Sequence, residues 1–402
     1  LELLERAVME KINTAGGWQA DAGGLGEIQQ ALADRGKTVA LEVIRFKNHF
    51  LGSVPGQLQD SVGYLVLVFD GRKLGHRFIR SGSILEGRQL RTFRNLAKSG
   101  VTDTVTYRDY WAPLDDLTAA FERIILSPDG AYNLINPNIL HNGRQWLIDR
   151  YEISIVTSLR ELLANRVILE ADKDAVFYGR PDYKSAPPAD GTAITRAATL
   201  EDLRQQDFPD LGGTEEEIRL AREYLSQKGW STTVRMGKDA SEVSFKQIGA
   251  PGLLHIATHG FFLDAGRVTN PMLESGLIFS GINSINLTDE QDGILTAFEA
   301  AGLRLTGTQL VVLSACETGL GKISNGEGVY GLRRAFTVAG ARQVVSSLWK
   351  VDDTGTQNLM TFFYQNLANG TEPGASFRNA QKMLRKTMPS PYYWGAFVLT
   401  GL

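Results

Sequence analysis

A single cysteine, Cys316, stands among 402 residues. One thiol cannot close an internal disulfide or build a cysteine-based zinc site, so a disulfide-stapled secreted fold is not expected and a reducing, cytoplasmic setting is. Long apolar runs are missing as well. The longest, such as Tyr64 to Phe69 and Leu310 to Leu313, are strand-sized and far short of the ~20 apolar residues of a membrane-spanning helix. No signal peptide is visible, and neither a Walker motif nor a G-x-S-x-G elbow occurs. An excess of one charge is also lacking. Lys and Arg number 42 and Asp and Glu 45, a formal net charge of −3. Proteins devoted to nucleic acid or to membrane surfaces carry a large basic excess, so neither partner is expected.

What is present is an ordinary globular composition, 43% hydrophobic and 22% charged, in a chain long enough for roughly two domains. It opens on Leu1 rather than Met, so a longer parent chain is expected. Residues 1–36 read as a helical stub. Leu1, Leu4, Val8 and Ile12 repeat at helical spacing up to Gly16-Gly17, and the stub reads as the possible end of an upstream repeat array. Residues 37–180 read as an α/β half. Thr38 to Phe46 and Val62 to Phe69 are rich in β-branched and aromatic residues, and Asp70-Gly71 predicts a hairpin into Leu74 to Ile79. Residues 181–213 hold Pro187-Pro188, Pro209 and Gly212-Gly213 and read as a linker or excursion. From 214 to 402 strands and helices alternate, which predicts a mostly parallel sheet with helices on both faces. Thr214 and Glu217 have the spacing of a capping box at the start of a helix over 214–228.

In such sheets chemistry sits beyond the C-terminal ends of the strands. Two strands there turn small and polar: Leu-Leu-His-Ile-Ala-Thr-His-Gly (253–260) and Leu-Val-Val-Leu-Ser-Ala-Cys-Glu-Thr-Gly (310–319). If they are neighbours, His259 and Cys316 meet at one edge. An imidazole that takes the thiol proton is what a cysteine nucleophile needs. The backbone N–H groups of Gly260 and Cys316 are then the candidates for an oxyanion hole. Alone, Cys316 reads equally as a buried structural thiol and His259 as a satisfied strand-end histidine; together they read as a site. His255 shares the strand face of His259 and reads as a core histidine. After the strand Gln343 to Leu348, Asp352 and Asp353 offer an N-cap or an acidic pocket for a Lys or Arg side chain of a substrate.

Other patterns fail on their chemistry. His255 and His259 have the spacing of a helical zinc pair but lack the Glu after the first His, and no metal or cofactor is expected. Gly326 to Gly331 matches G-x-G-x-x-G, but 11 residues separate it from Ser314 and Glu327 would repel a pyrophosphate. Asp289, Glu290 and Asp292 read as solvated acids or an N-cap.

The stretches 255–262, 311–321, 326–336, 339–353 and 392–401 together resemble the CHAT domain, over about 120–402. The 57 residues from His259 to Cys316 (316 − 259) compare with the roughly 50 of caspases. The resemblance implies a caspase- and separase-like cysteine peptidase, often preceded by tetratricopeptide repeats. Its catalytic half, 214–402, is expected to be preceded by a pseudo-protease half. His259 and Cys316 become the dyad, with oxyanion donors from Gly260 and Cys316. Trp-Lys-Val-Asp-Asp (349–353) resembles the separase segment whose acid binds a P1 arginine, which makes Asp353, or else Asp352, the S1 acid. The expected substrate is a partner protein in bacterial signalling or defence, with a regulatory partner acting through missing N-terminal repeats. A catalytically silent scaffold of the same fold is the alternative.

Overall fold

The computed structural model describes residues 24–51, 58–163, 173–184, 203, 206–263, 270–282, 292–316, 318–324, 328–350 and 352–402. The helix expected over 1–16, Pro187-Pro188, Asp289, Glu290 and Gly326 lie outside the described residues.

The strands are β1 (Thr38–Leu51), β2 (Leu58–Phe69), β3 (Leu74–Ile79), β4 (Arg123–Ser127), β5 (Glu152–Ile155), β6 (Asp174–Pro181), β7 (Ser231–Gly237), β8 (Leu253–Ala257), β9 (Gly260–Phe262), β10 (Ser275–Ile278), β11 (Ile294–Thr296), β12 (Leu310–Leu313), β13 (Lys322–Ser324), β14 (Gly328–Tyr330), β15 (Gln343–Ser347) and β16 (Phe397–Thr400). Eleven of them form one sheet in the order β3-β2-β1-β4-β5-β16-β15-β12-β8-β6-β7. Seven of its ten neighbouring pairs are parallel. β7, β6, β8, β12 and β15 run one way; β16 turns back, and β5, β4 and β1 run with it.

Period-two alternation explains why these strands are almost wholly apolar: both faces are covered. On one face Leu253 and Ala257 of β8 and Leu310 and Val312 of β12 pack with Ile218, Ala221 and Leu225 of the helix Gly212–Ser226 and Leu359 and Phe363 of the helix Asp353–Ala368. On the other face Leu254, Ile256, Val311 and Leu313 pack with Leu332, Ala335 and Phe336 of the helix Leu332–Val338. Each buried Leu, Ile, Val or Phe among them contributes about 1.5–3 kcal/mol by leaving water.

The hairpin at Asp70-Gly71 forms. Gly71 has a φ of 82°, and Asp70 Oδ1 accepts the N–H groups of Arg72 and Lys73. One detail differs from expectation. The helix expected from Thr214 begins at Gly212, so Thr214 lies in its first turn, where its hydroxyl donates to Leu211 O. Glu217 therefore points into the core instead of capping. One sheet holds strands from both sides of the region 181–213: β6, which ends at Pro181, lies between β7 and β8, and β16 lies between β15 and β5. Turn-rich composition marks where the chain leaves the sheet, while pairing between distant strands decides what belongs together. From β6 the chain crosses outward to β7 and returns on the other side to β8, which makes the carboxyl ends of β6 and β8 a topological switch point, the usual crevice of such sheets.

Candidate active site

β8 and β12 are parallel neighbours, paired from Leu253–Leu310 to Ile256–Leu313. The ladder continues one step, with Ser314 N donating to Ile256 O at 2.8 Å. Three residues beyond the last pair come His259 (256 + 3) and Cys316 (313 + 3), on the turns that leave the carboxyl ends of these adjacent strands. Both are half-buried. The turns that carry them touch. A Cβ added to Gly260 would lie 2.6 Å from Cys316 O and 3.5 Å from Ala315 Cβ. Only a glycine lets the two backbones approach this closely.

The His259 ring is held on three sides. Nε2 lies 2.9 Å from Pro209 O. The rings of Tyr183 and Phe208 stand 5.3 and 5.5 Å from it, centroid to centroid. A carbonyl only accepts, so Nε2 carries the proton and Nδ1 keeps its lone pair. Burial lowers the His259 pKa; the Pro209 carbonyl and Asp353 act against that, and Lys350 adds to it. The imidazole is thus neutral and basic at Nδ1 near pH 7.

The cysteine turn is pinned to the end of β15. Ser347 Oγ donates to Ala315 O at 2.6 Å, Ser347 N to Thr318 Oγ1 at 3.0 Å, and Gly319 N to Ser347 O at 2.7 Å. Thr318 and Ser347 are both buried. These bonds give partners to buried polar groups of the turn, which is what a fixed buried turn requires.

Asp352 and Asp353 follow at the mouth of β15. Asp352 is the N-cap of the helix Asp353–Ala368, its Oδ1 accepting Gly355 N at 2.8 Å. Asp353 is exposed in the first turn. Burial raises the Tyr392 pKa, and Asp352, Cys316 and Asp353 raise it further, so these groups share one neighbourhood. His255 lies on β8 in the core beneath, fully buried. Its Nδ1 is 2.7 Å from Tyr364 Oη, and its Nε2 is 3.1 Å from Glu217 Oε1 without hydrogen-bond alignment. Asp292 is buried, with Oδ1 accepting Ile294 N at 2.9 Å. Among the described residues no group of three or more His, Cys, Asp or Glu could hold a metal, and no helix is long and apolar enough to cross a membrane.

Pro209, Tyr183, Phe208 and Ser347 were not singled out from sequence. A backbone carbonyl carries no residue signature, and Ser347 was one of two serines at a strand end.

A sequence model of the CHAT domain matches residues 104–402. Tetratricopeptide repeat protein 28 of Mus musculus is 36% identical over 110 residues, 27% of this chain and 4% of that protein. The protein of the same name in Homo sapiens is 34% identical over 113 residues, 28% of this chain and 4% of the other. The matched region thus spans a small fraction of these relatives. Among solved structures, the Arg-specific cysteine proteinase gingipain R is similar with a TM-score of 0.46 and 10% identity, covering 80% of this chain and 75% of that one. The Saccharomyces cerevisiae separase–securin complex is similar with a TM-score of 0.43 and 14% identity, covering 70% and 15%.

Proposed function

Since the chain belongs to the CHAT domain family, we propose that it is a cysteine endopeptidase with His259 and Cys316 as its dyad. The observation that carries this is the placement of the two residues on touching turns at the carboxyl ends of β8 and β12, with Gly260 packed against the Cys316 backbone. In this reading Nδ1 of His259 takes the thiol proton and the Cys316 sulfur attacks a peptide carbonyl carbon. The N–H groups of Gly260 and Cys316 stabilise the oxyanion. The C–N bond then breaks and the amine leaves with the proton from His259. Water adds its hydroxyl to the acyl carbon and its proton to His259, releasing the acid and restoring the thiol.

Asp353 is our S1 acid, for a Lys or Arg at P1. Its exposure and its electrostatic reach to His259 support this over Asp352, whose carboxylate is engaged in capping. The substrate is a partner protein. Activity is gated by an upstream domain or partner, in keeping with the repeat proteins that share part of this sequence. The test is covalent labelling with a peptidyl ketone electrophile. A probe with Arg at P1 is expected to modify Cys316 in the wild type but not in His259→Ala, faster than a probe with Asp at P1. Equal labelling of both proteins would sink the dyad.

A further inference from the structure

Arg180 combines features that stability does not explain. Among the described residues it is the only non-glycine with a left-handed φ, 43°. It sits in a bulge: the register of β6 with β7 shifts between Gly179 and Pro181, and the pairing with β8 stops at Gly179 and Ala257. A glycine would hold this backbone with less strain. The side chain is exposed, its ion pairs among the described residues are with the exposed acids Asp210 and Glu215, and such pairs add little to stability.

The bulge turns the guanidinium toward the segment that holds His259. Nε and Nη2 reach both oxygens of Asp210, at 2.8–3.2 Å. Nη1 reaches Glu215 Oε2 at 2.5 Å. Asp210 directly follows Pro209, and Glu215 lies in the first turn of the helix Gly212–Ser226. One planar, bidentate side chain therefore ties both ends of residues 210–215 to β6. Pro209 O, next to this clamp, is 2.9 Å from His259 Nε2. We infer that Arg180 is a positioning residue: it fixes the Pro209 carbonyl and, through it, the orientation and tautomer of the His259 ring. This rests on the peptidase reading only in what the ring is used for.

The test compares Arg180→Ala, Arg180→Gly and Arg180→Lys with the wild-type chain. Imidazole 15N shifts, assigned to His259 by their loss in His259→Gln, report the tautomer. Cleavage of an Arg-containing peptide reports kcat and KM. We expect a single Nε2–H tautomer in the wild type and a mixture in the Ala and Gly variants. Their kcat is expected to fall roughly tenfold, with KM nearly unchanged and partial rescue by Lys. The Gly variant, relieved of the strained φ, should melt at or above the wild-type temperature. An unchanged tautomer and kcat would overturn the proposal. So would loss of kcat together with a lower melting temperature in the Gly variant, because that marks a structural role alone. If the wild-type chain cleaves nothing, as the proposed gating allows, the nitrogen shifts alone decide the role of Arg180.

Discussion

The Nε2 atom of His259 lies 2.9 Å from the carbonyl oxygen of Pro209, fifty residues earlier in the chain. This contact assigns the ring N–H to Nε2, because a carbonyl oxygen only accepts a hydrogen bond. Burial holds the His259 pKa below its ordinary value of 6.5. A general base works while unprotonated, so a lowered pKa moves the acid limb of the rate to lower pH. We expect kcat/KM for an Arg peptide to stay level down to pH 6.5 and to fall below it. An acid limb centred above pH 7 would contradict the neutral, Nε2-protonated ring.

Gly260 is expected to tolerate no side chain. In Gly260→Ala the new Cβ meets the Cys316 carbonyl at 2.6 Å, so one of the two turns must move. Overpacking of this kind costs about 1–3 kcal/mol, and a shift at the dyad costs roughly a hundredfold in rate. Thermal melting and steady-state kinetics on the same sample check both. An Ala variant with wild-type kcat would show that the two backbones are not held together during turnover.

Ser347→Ala removes the donor to Ala315 O. The carbonyl keeps only the longer contact from Thr318 Oγ1 at 3.4 Å, and the lost hydrogen bond costs about 0.5–1.5 kcal/mol. Because Ser347 is linked to the cysteine turn and not proposed to touch substrate, kcat is expected to fall with KM held. A rise in KM at constant kcat would instead make it a substrate contact.

The two acids are expected to separate by readout. Asp352→Ala loses an N-cap and with it about 0.5–2 kcal/mol of stability. Asp353→Ala should melt as wild type and raise KM for peptides with Lys or Arg at P1, with little effect on other peptides. If the selectivity loss follows Asp352, the assignment of the S1 acid reverses.

The carboxyl ends of β8 and β12 were legible because each strand is an apolar run that turns small and polar at one point. The helices flanking them were legible for the same reason, through periodicity. Thr214 and Glu217 show where local spacing misleads. The helix starts at Gly212, and the Glu217 carboxylate reaches His255 in the core instead of its own N-terminus. Pro209, Ser347 and Arg180 were not legible as site residues. Their roles rest on contacts between segments far apart in sequence, and in Pro209 on a backbone atom that any residue supplies. The unbroken sheet was hidden similarly, since the places of β6 and β16 follow from pairing across most of the chain.

The most direct test of the central claim is cleavage of an unbiased peptide library, read by mass spectrometry, with the wild type beside Cys316→Ala. The account expects cuts in the wild type alone, concentrated after Lys and Arg. Identical cuts from both proteins, or wild-type cuts concentrated after Asp, would contradict it.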